Sequence, residues 1–316
     1  MTIVQPSVPP SRMSALMAGC LAALGWGLTG MFVKLLPDFT TLEVLGLRLL
    51  VSVLTTLPFL FIHRPLRTQF LMLTRTPEGL GLSSLMVFYY LFAVRAFQLA
   101  PVSDVVLMIG LAPLLGLAAK LGMRQPLLWR EGLGAVIAFT GLLLFVFPKL
   151  QGQFNPSTYL TGLFFAFLSA WVSLGYASLF KYYATQNAGL KAALNPVAVA
   201  FTTFMLGSVI TVPLAVVASS HSMQILRQPH IGWIILGLGT LSTVIPTLCY
   251  SYAAKYLSPI LTTTLNLLTP IFAAFFAVWL LKETFSWLSL LGAALILVGI
   301  LALSLPQSTT TEAQKS

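Results

Sequence analysis

Charge is what this chain has least of: 17 lysines and arginines and 7 aspartates and glutamates make up 8% of its 316 residues. About a quarter of the residues of a soluble domain are charged, so a soluble fold is excluded. Cysteine is nearly absent too. Cys20 and Cys249 both sit inside apolar runs with no metal or redox spacing, which leaves them as small core residues. The three histidines, His63, His221 and His230, fall between such runs. No G-x-x-x-x-G-K-[ST] phosphate loop, no G-x-S-x-G elbow and no His/Asp/Glu constellation occurs. The sequence therefore implies no ATP-driven pump, no enzyme, no metal and no cofactor.

What the chain has in abundance is apolar length. Hydrophobic residues make up 58% of it, and its mean hydropathy is +0.93. A bilayer core about 30 Å thick needs roughly 20 apolar residues per helix. Runs fit that ruler at 13–35, 42–62, 79–97, 102–119, 129–147, 158–180, 197–218, 231–254, 258–281 and 285–305. Stretches such as LGAALILVGILAL are apolar all round, which excludes the alternating pattern of a β-barrel. The expected fold is all-α and integral to the membrane, with ten transmembrane helices. QLAPVS alone parts the third and fourth, and Pro101 there suits the first turn of a new helix. Pro259 reads the same way, with Ser258 as its cap. Pro113 and Pro270 lie within runs and predict kinks that free the carbonyls of Ile109 and Asn266. Lys282 and Glu283 form a polar turn between the last two helices, in the headgroup layer where charge costs little.

The basic residues orient the chain. With the N-terminus inside, eleven fall on the cytoplasmic side, among them Arg64, Arg67 and Arg75; four, Lys34, Lys149, Arg227 and Lys282, fall outside. Both termini are then cytoplasmic, in a multi-pass protein of the cell membrane. The net charge of +10 becomes a topology signal and a contact for anionic lipid rather than a nucleic-acid footprint. Residues 1–12 lack a signal-peptide pattern and read as a cytoplasmic tail, as do 306–316.

An internal repeat organises the runs. Pro101 matches Pro259, Trp129 matches Trp287, Gly134 matches Gly292 and Gly141 matches Gly299, all at an interval of 158, while Pro113 and Pro270 pair at 157. Trp26 and Gly30 match Trp171 and Gly175 at 145. Two halves of five helices follow, 13–147 and 158–305, joined by a linker at 148–157. Because five is odd, the second half enters the membrane from the opposite side. The result is an inverted-topology repeat, an architecture typical of secondary transporters. The glycine pairs give small faces to the fifth and tenth helices, suited to packing or to a homodimer contact.

The segment YAAKYLSPILTTTLNLLTPIFAAFFAVWLLKETFSWLSLLGAALILVGI carries a Ser-Pro turn, a mid-helix Thr-Pro, an acidic turn at Glu283 and a glycine-rich closing helix. In these features the chain resembles the EamA-like permease family of the drug/metabolite transporter superfamily. The resemblance implies a ten-helix bundle with a substrate cavity between its halves, and export or exchange of small metabolites. The family's turn usually carries Gly-Glu in each half. Here the second half keeps Glu283 while the first has Gln125, which favours a structural role for the turn, such as capping the last helix.

Polar and aromatic residues within the spans are the candidates for that cavity. Thr263 and Asn266 stand ahead of Pro270, and Met108 stands near Pro113, predicting a polar wall from the ninth helix and an apolar wall from the fourth. Trp26, Tyr89, Tyr90, Trp171, Tyr176, Tyr250 and Tyr252 fall within spans, either as core packing or as ligand contacts; Trp129, Trp233 and Trp287 sit at run ends as interface anchors. Arg95 can pair with Asp104 across the QLAPVS turn or grip a substrate carboxylate or phosphate. Arg48 faces no acid at helical spacing and needs another partner or a cavity.

Carboxylates are scarce within the spans, and no proton relay stands out. Uniport or exchange of small molecules fits best, with amino acids or similar amphipathic solutes as the exported class. A sugar-phosphate or nucleotide-sugar exchanger would require Arg95, Arg48 and Lys255 to converge. A membrane enzyme or scaffold would leave the inverted repeat without a purpose.

Overall fold

The structure, a computed structural model, describes residues 12–304 except 123, 125–128, 151–154, 187–189, 191–192, 219–227, 257–264 and 266–267. Among the described residues every regular element is a helix. In chain order these are α1 Arg12–Gly27, α2 Thr29–Lys34, α3 Thr41–Ile62, α4 Arg64–Arg75, α5 Pro77–Leu99, α6 Val102–Gly110, α7 Ala112–Gly122, α8 Trp129–Leu150 and α9 Pro156–Gln186. They continue with α10 Pro196–Ala218, α11 Pro229–Gly239, a π-turn at Thr240–Val244, α12 Ile245–Tyr256, α13 Leu268–Leu281 and α14 Trp287–Ser304.

Among the described residues, seven stretches are long and apolar enough to cross a membrane: Met13–Lys34, Thr41–Ile62, Pro77–Leu99, Val102–Ala119, Pro156–Phe180, Pro196–Val217 and Pro229–Ala253. Three shorter apolar helices, Gly132–Phe145, Leu268–Leu281 and Trp287–Gly299, coincide with the fifth, ninth and tenth expected runs. The chain is a multi-pass membrane protein. Its exterior bears this out physically, since Phe88, Phe139, Leu143, Val217, Phe275 and Val298 are all exposed, as lipid-facing side chains must be. Trp129, Trp233 and Trp287 are exposed as well, each within the first turns of its helix.

Local chemistry sets the helix ends. Thr40 and Glu43 form a reciprocal capping box at the start of α3: Glu43 N–H donates to Thr40 Oγ1 at 3.3 Å, and Thr40 N–H donates to Glu43 Oε2 at 2.7 Å. The fourth run breaks at Leu111, and Pro113 lies in the first turn of α7, where its missing N–H does no harm. Pro270 lies likewise near the start of α13, while the residues just before it fall outside the described set. The link between the second and third runs is itself helical. In this helix, α4, Phe70 and Leu73 are buried while Arg64, Arg67 and Arg75 are exposed. The reason is spacing: three and four residues separate its apolar positions, so one face can dock on the bundle.

The strongest packing joins α8 to α14. A Cβ built on Gly141 would lie 2.7 Å from the carbonyl oxygen of Gly292, and one built on Gly292 would lie 2.6 Å from that of Gly141. Gly299 meets Gly134 O at 2.6 Å in the same way. Gly134 opposite Gly299 and Gly141 opposite Gly292 is an antiparallel register, and the small residues allow backbone contact. The paired glycines thus serve packing within the chain. The non-glycine residues with positive φ among those described are Arg124 (55°) and Lys282 (56°), which are 158 positions apart, the interval of the sequence repeat. At Lys282 the left-handed residue ends α13, and Glu283 N–H turns back to donate to Ala277 O at 3.0 Å.

Candidate functional site

Arg48 is the most deeply buried cation among the described residues, with 2% of its surface exposed. It is the eighth residue of α3, roughly 10 Å along a helix that spans the bilayer. A guanidinium at that depth costs several kcal/mol unless its environment compensates. Its hydrogen-bond partners come from the second half of the chain. Arg48 Nε donates to Thr243 Oγ1 at 2.7 Å and Nη2 reaches Ser242 O at 3.5 Å, both within the π-turn. Its Cζ stands 4.6 Å from the centroid of the Tyr90 ring, a cation–π arrangement. Among the described residues no carboxylate pairs with it.

The π-turn has an identifiable cause. Pro246 has no N–H to give the carbonyl four residues earlier, which is that of Ser242. The neighbouring carbonyls find side-chain donors instead. Ser242 Oγ and Thr243 Oγ1 donate to Leu238 O at 2.9 and 2.7 Å, and Ser52 Oγ bridges Arg48 O at 2.9 Å and Gly239 O at 3.1 Å. Gly239 lets α3 approach this closely, because a Cβ there would sit 3.0 Å from Arg48 O. Gly25 of α1 does the same on the other side, where a Cβ would strike Pro246 and the carbonyl of Leu241. The chain is therefore tied across its halves at one polar locus.

Aromatic rings extend the locus. Tyr89 and Tyr90 lie 5.5 Å apart, centroid to centroid, and Trp26 lies 5.3 Å from Tyr250. Tyr176 is within electrostatic reach of both Tyr90 and Tyr250, which closes the group around α1, α3, α5, α9 and α12. One cation, four tyrosines and a tryptophan can take a solute that is anionic at one end and apolar along its body.

Of the residues expected at a cavity, the structure brings together Trp26, Arg48, Tyr89, Tyr90, Tyr176 and Tyr250. Arg95, Trp171 and Tyr252 are exposed and stand apart from that group. The expected pairing of Arg95 with Asp104 does not form. Asp104 turns to its own end of the bundle, where Ser103 Oγ lies 2.8 Å from Oδ1 and Tyr159 Oη donates to Oδ2 at 2.9 Å. Thr263, Asn266 and the side chain of Lys255 lie outside the described residues. Met108 borders a groove of about 1160 Å³ between α6, α7, α8 and α9, and most of the polar wall expected from the ninth run lies outside the described residues. Thr140 is the groove's one hydrogen-bonding side chain, so it offers an acyl chain room and a polar solute nothing.

Glu283 also has a different task from the one expected of it. Ser286 caps the last helix, accepting from Ser289 N–H at 3.1 Å. Glu283 instead reaches the first half: Val102 N–H donates to its Oε1 at 2.8 Å, and Ser103 Oγ donates to its Oε2 at 3.0 Å. It thereby fills an open donor position at the N-terminus of α6 and suits that helix's dipole.

The comparisons with known proteins agree with this picture. A model of the EamA-like transporter family matches residues 13–147 and 160–305. The chain belongs to the EamA-like transporter family. An uncharacterized transporter of Archaeoglobus fulgidus is 27% identical over 286 residues, covering 89% of this chain and 93% of the relative. A solved crystal structure of a protein, 18% identical, superposes with a TM-score of 0.58 over 93% of this chain and 98% of that one, and shares the fold. An EamA-like transporter acts on small molecules within a bilayer, and the Arg48 locus is where this one presents polar chemistry at depth.

Glu283→Ala leaves the Val102 N–H and the Ser103 hydroxyl without that acceptor. It is expected to lower stability by about 1–3 kcal/mol, read as a fall in Tm, with Glu283→Gln recovering part of the loss. An unchanged Tm in Glu283→Ala would show the cross-half cap to be dispensable.

Proposed function

We propose that this EamA-like transporter exports amino acids or similar amphipathic carboxylates across the cytoplasmic membrane, by alternating access between two five-helix halves of inverted topology. The buried, carboxylate-free Arg48 carries the reading. A guanidinium with donors left over, walled by aromatic rings, suits a solute bearing one carboxylate and an apolar side chain. The three carboxylates near the spans that the structure describes in detail are engaged elsewhere, Glu43 in its capping box and Asp104 and Glu283 at the α6 terminus. Substrate-gradient uniport or exchange therefore remains the coupling that needs the fewest groups.

Three observations support the inverted repeat. The interval of 158 links sequence features, the same interval separates the two left-handed turn residues, and the helices it relates, α8 and α14, run antiparallel. The halves then exchange conformations around the Arg48 locus, and the basic residues favour both termini inside. The sugar-phosphate reading loses ground, since the exposed Arg95 does not converge with Arg48.

Counterflow of L-leucine in proteoliposomes tests the substrate class. Arg48→Met removes charge-assisted hydrogen bonds of about 1.5–3 kcal/mol and is expected to raise KM roughly 10- to 150-fold, with Arg48→Lys intermediate. Wild-type transport in Arg48→Met would end the carboxylate reading. Topology is tested separately by single cysteines at Arg124 and Lys282, in a background lacking Cys20 and Cys249. Impermeant thiol reagents are expected to label the two from opposite sides of the membrane, and labelling from one side removes the inverted repeat.

A further inference from the structure

The π-turn at Thr240–Val244 interrupts a membrane-spanning run, packs against α1 and α3, and holds the one buried cation among the described residues. π-turns within helices are rare and gather at functional sites. Here the turn and the cation depend on each other. Pro246 denies Ser242 O its α-helical donor, and Arg48 Nη2 reaches that carbonyl at 3.5 Å, beyond the usual hydrogen-bond range of about 2.7–3.2 Å. Nε, by contrast, is held firmly at 2.7 Å by a threonine hydroxyl whose own proton is committed to Leu238 O.

We propose that this turn senses occupancy of the Arg48 site and passes it to the second half of the transporter, with Thr243 and Pro246 as its positioning residues. The proposal rests on the reading of Arg48 as a carboxylate site. With the site empty, Nη2 lends a weak hydrogen bond to Ser242 O. A carboxylate, which binds a guanidinium through two parallel hydrogen bonds, draws Nη2 away while Nε stays on Thr243. Ser242 O then has no partner four residues on, because that residue is Pro246. The N–H five residues on, that of Thr247, is the next it can take. Loading the site therefore shifts the π-register by one step along the helix, and with it the angle between α11 and α12. Gly25, packed against Pro246 and Leu241 O, places α1 where it must follow.

Pro246→Ala restores an N–H for Ser242 O and makes the π-turn unnecessary. In nanodiscs and proteoliposomes, with L-leucine as probe, it is expected to bind as tightly as wild type or up to a few-fold more tightly while its turnover falls about tenfold, a split between KM and kcat that a loss of folding would not produce. Thr243→Val is expected to weaken binding about tenfold by freeing Nε, with Thr243→Ser restoring it. Hydrogen exchange of the peptide covering 238–247 is expected to slow when leucine is added to wild type and to be insensitive to it in Pro246→Ala. Wild-type turnover in Pro246→Ala, or a wild-type peptide indifferent to leucine, overturns the proposal. If leucine binds equally well to Arg48→Met, the carboxylate reading itself has failed; if binding requires Arg48 yet Pro246→Ala turns over normally, only the coupling has.

Discussion

A guanidinium kept away from water, and paired with no carboxylate among the described residues, is the constraint around which the described structure is arranged. Arg48 is tolerable on α3 because the π-turn offers it a hydroxyl and a carbonyl, and because Tyr90 offers it a ring. Those groups come from different halves of the chain. The charge thus binds the halves together through interactions that are polar, short-ranged and exchangeable, unlike the apolar packing around them. A bundle held at its centre by weak, replaceable hydrogen bonds can be repacked by a ligand that offers better ones.

The remainder of the molecule makes such repacking feasible by being rigid elsewhere. α8 and α14 are locked backbone to backbone through Gly134, Gly141, Gly292 and Gly299, which keeps the related helices of the two halves in fixed register. At the end of the bundle where α6 begins, Glu283 ties the turn after α13 to Val102 and Ser103, and Tyr159 ties α9 to Asp104. Gln98 Nε2 adds a link to Phe39 O at 2.9 Å. That end is closed by hydrogen bonds between residues of both halves, while the locus beneath it is served by a single cation.

Much of the fold was legible because the bilayer leaves few options: an all-apolar run of about 20 residues must be a helix. The repeat was legible because Pro, Gly and Trp at fixed spacing mark turns, close contacts and interface anchors, and the left-handed Arg124 and Lys282 show that the matching extends to backbone conformation. The site was half legible. Arg48, Trp26 and the tyrosines stood out as costly or bulky residues within spans, but Arg95 and Trp171 met the same criterion and face outward. Residue type does not reveal which side of a helix is inward when both sides are apolar. The π-turn was missed although its signal, hydroxyl residues ahead of a proline in STVIPT, is the one that drew attention to Thr263 and Pro270. The target of Glu283 was illegible for another reason: its acceptors meet donors roughly 180 residues away, and no local pattern encodes a contact made by tertiary packing.

The most direct measurement is equilibrium binding of L-leucine and of its amide, leucinamide, to the purified protein in nanodiscs. The two share the side chain and the ammonium group and differ in the carboxylate. If Arg48 is there to receive an anion, leucine binds and leucinamide binds at least about tenfold more weakly. Equal affinity for the two would contradict the account, because the buried cation would then have no part in recognition.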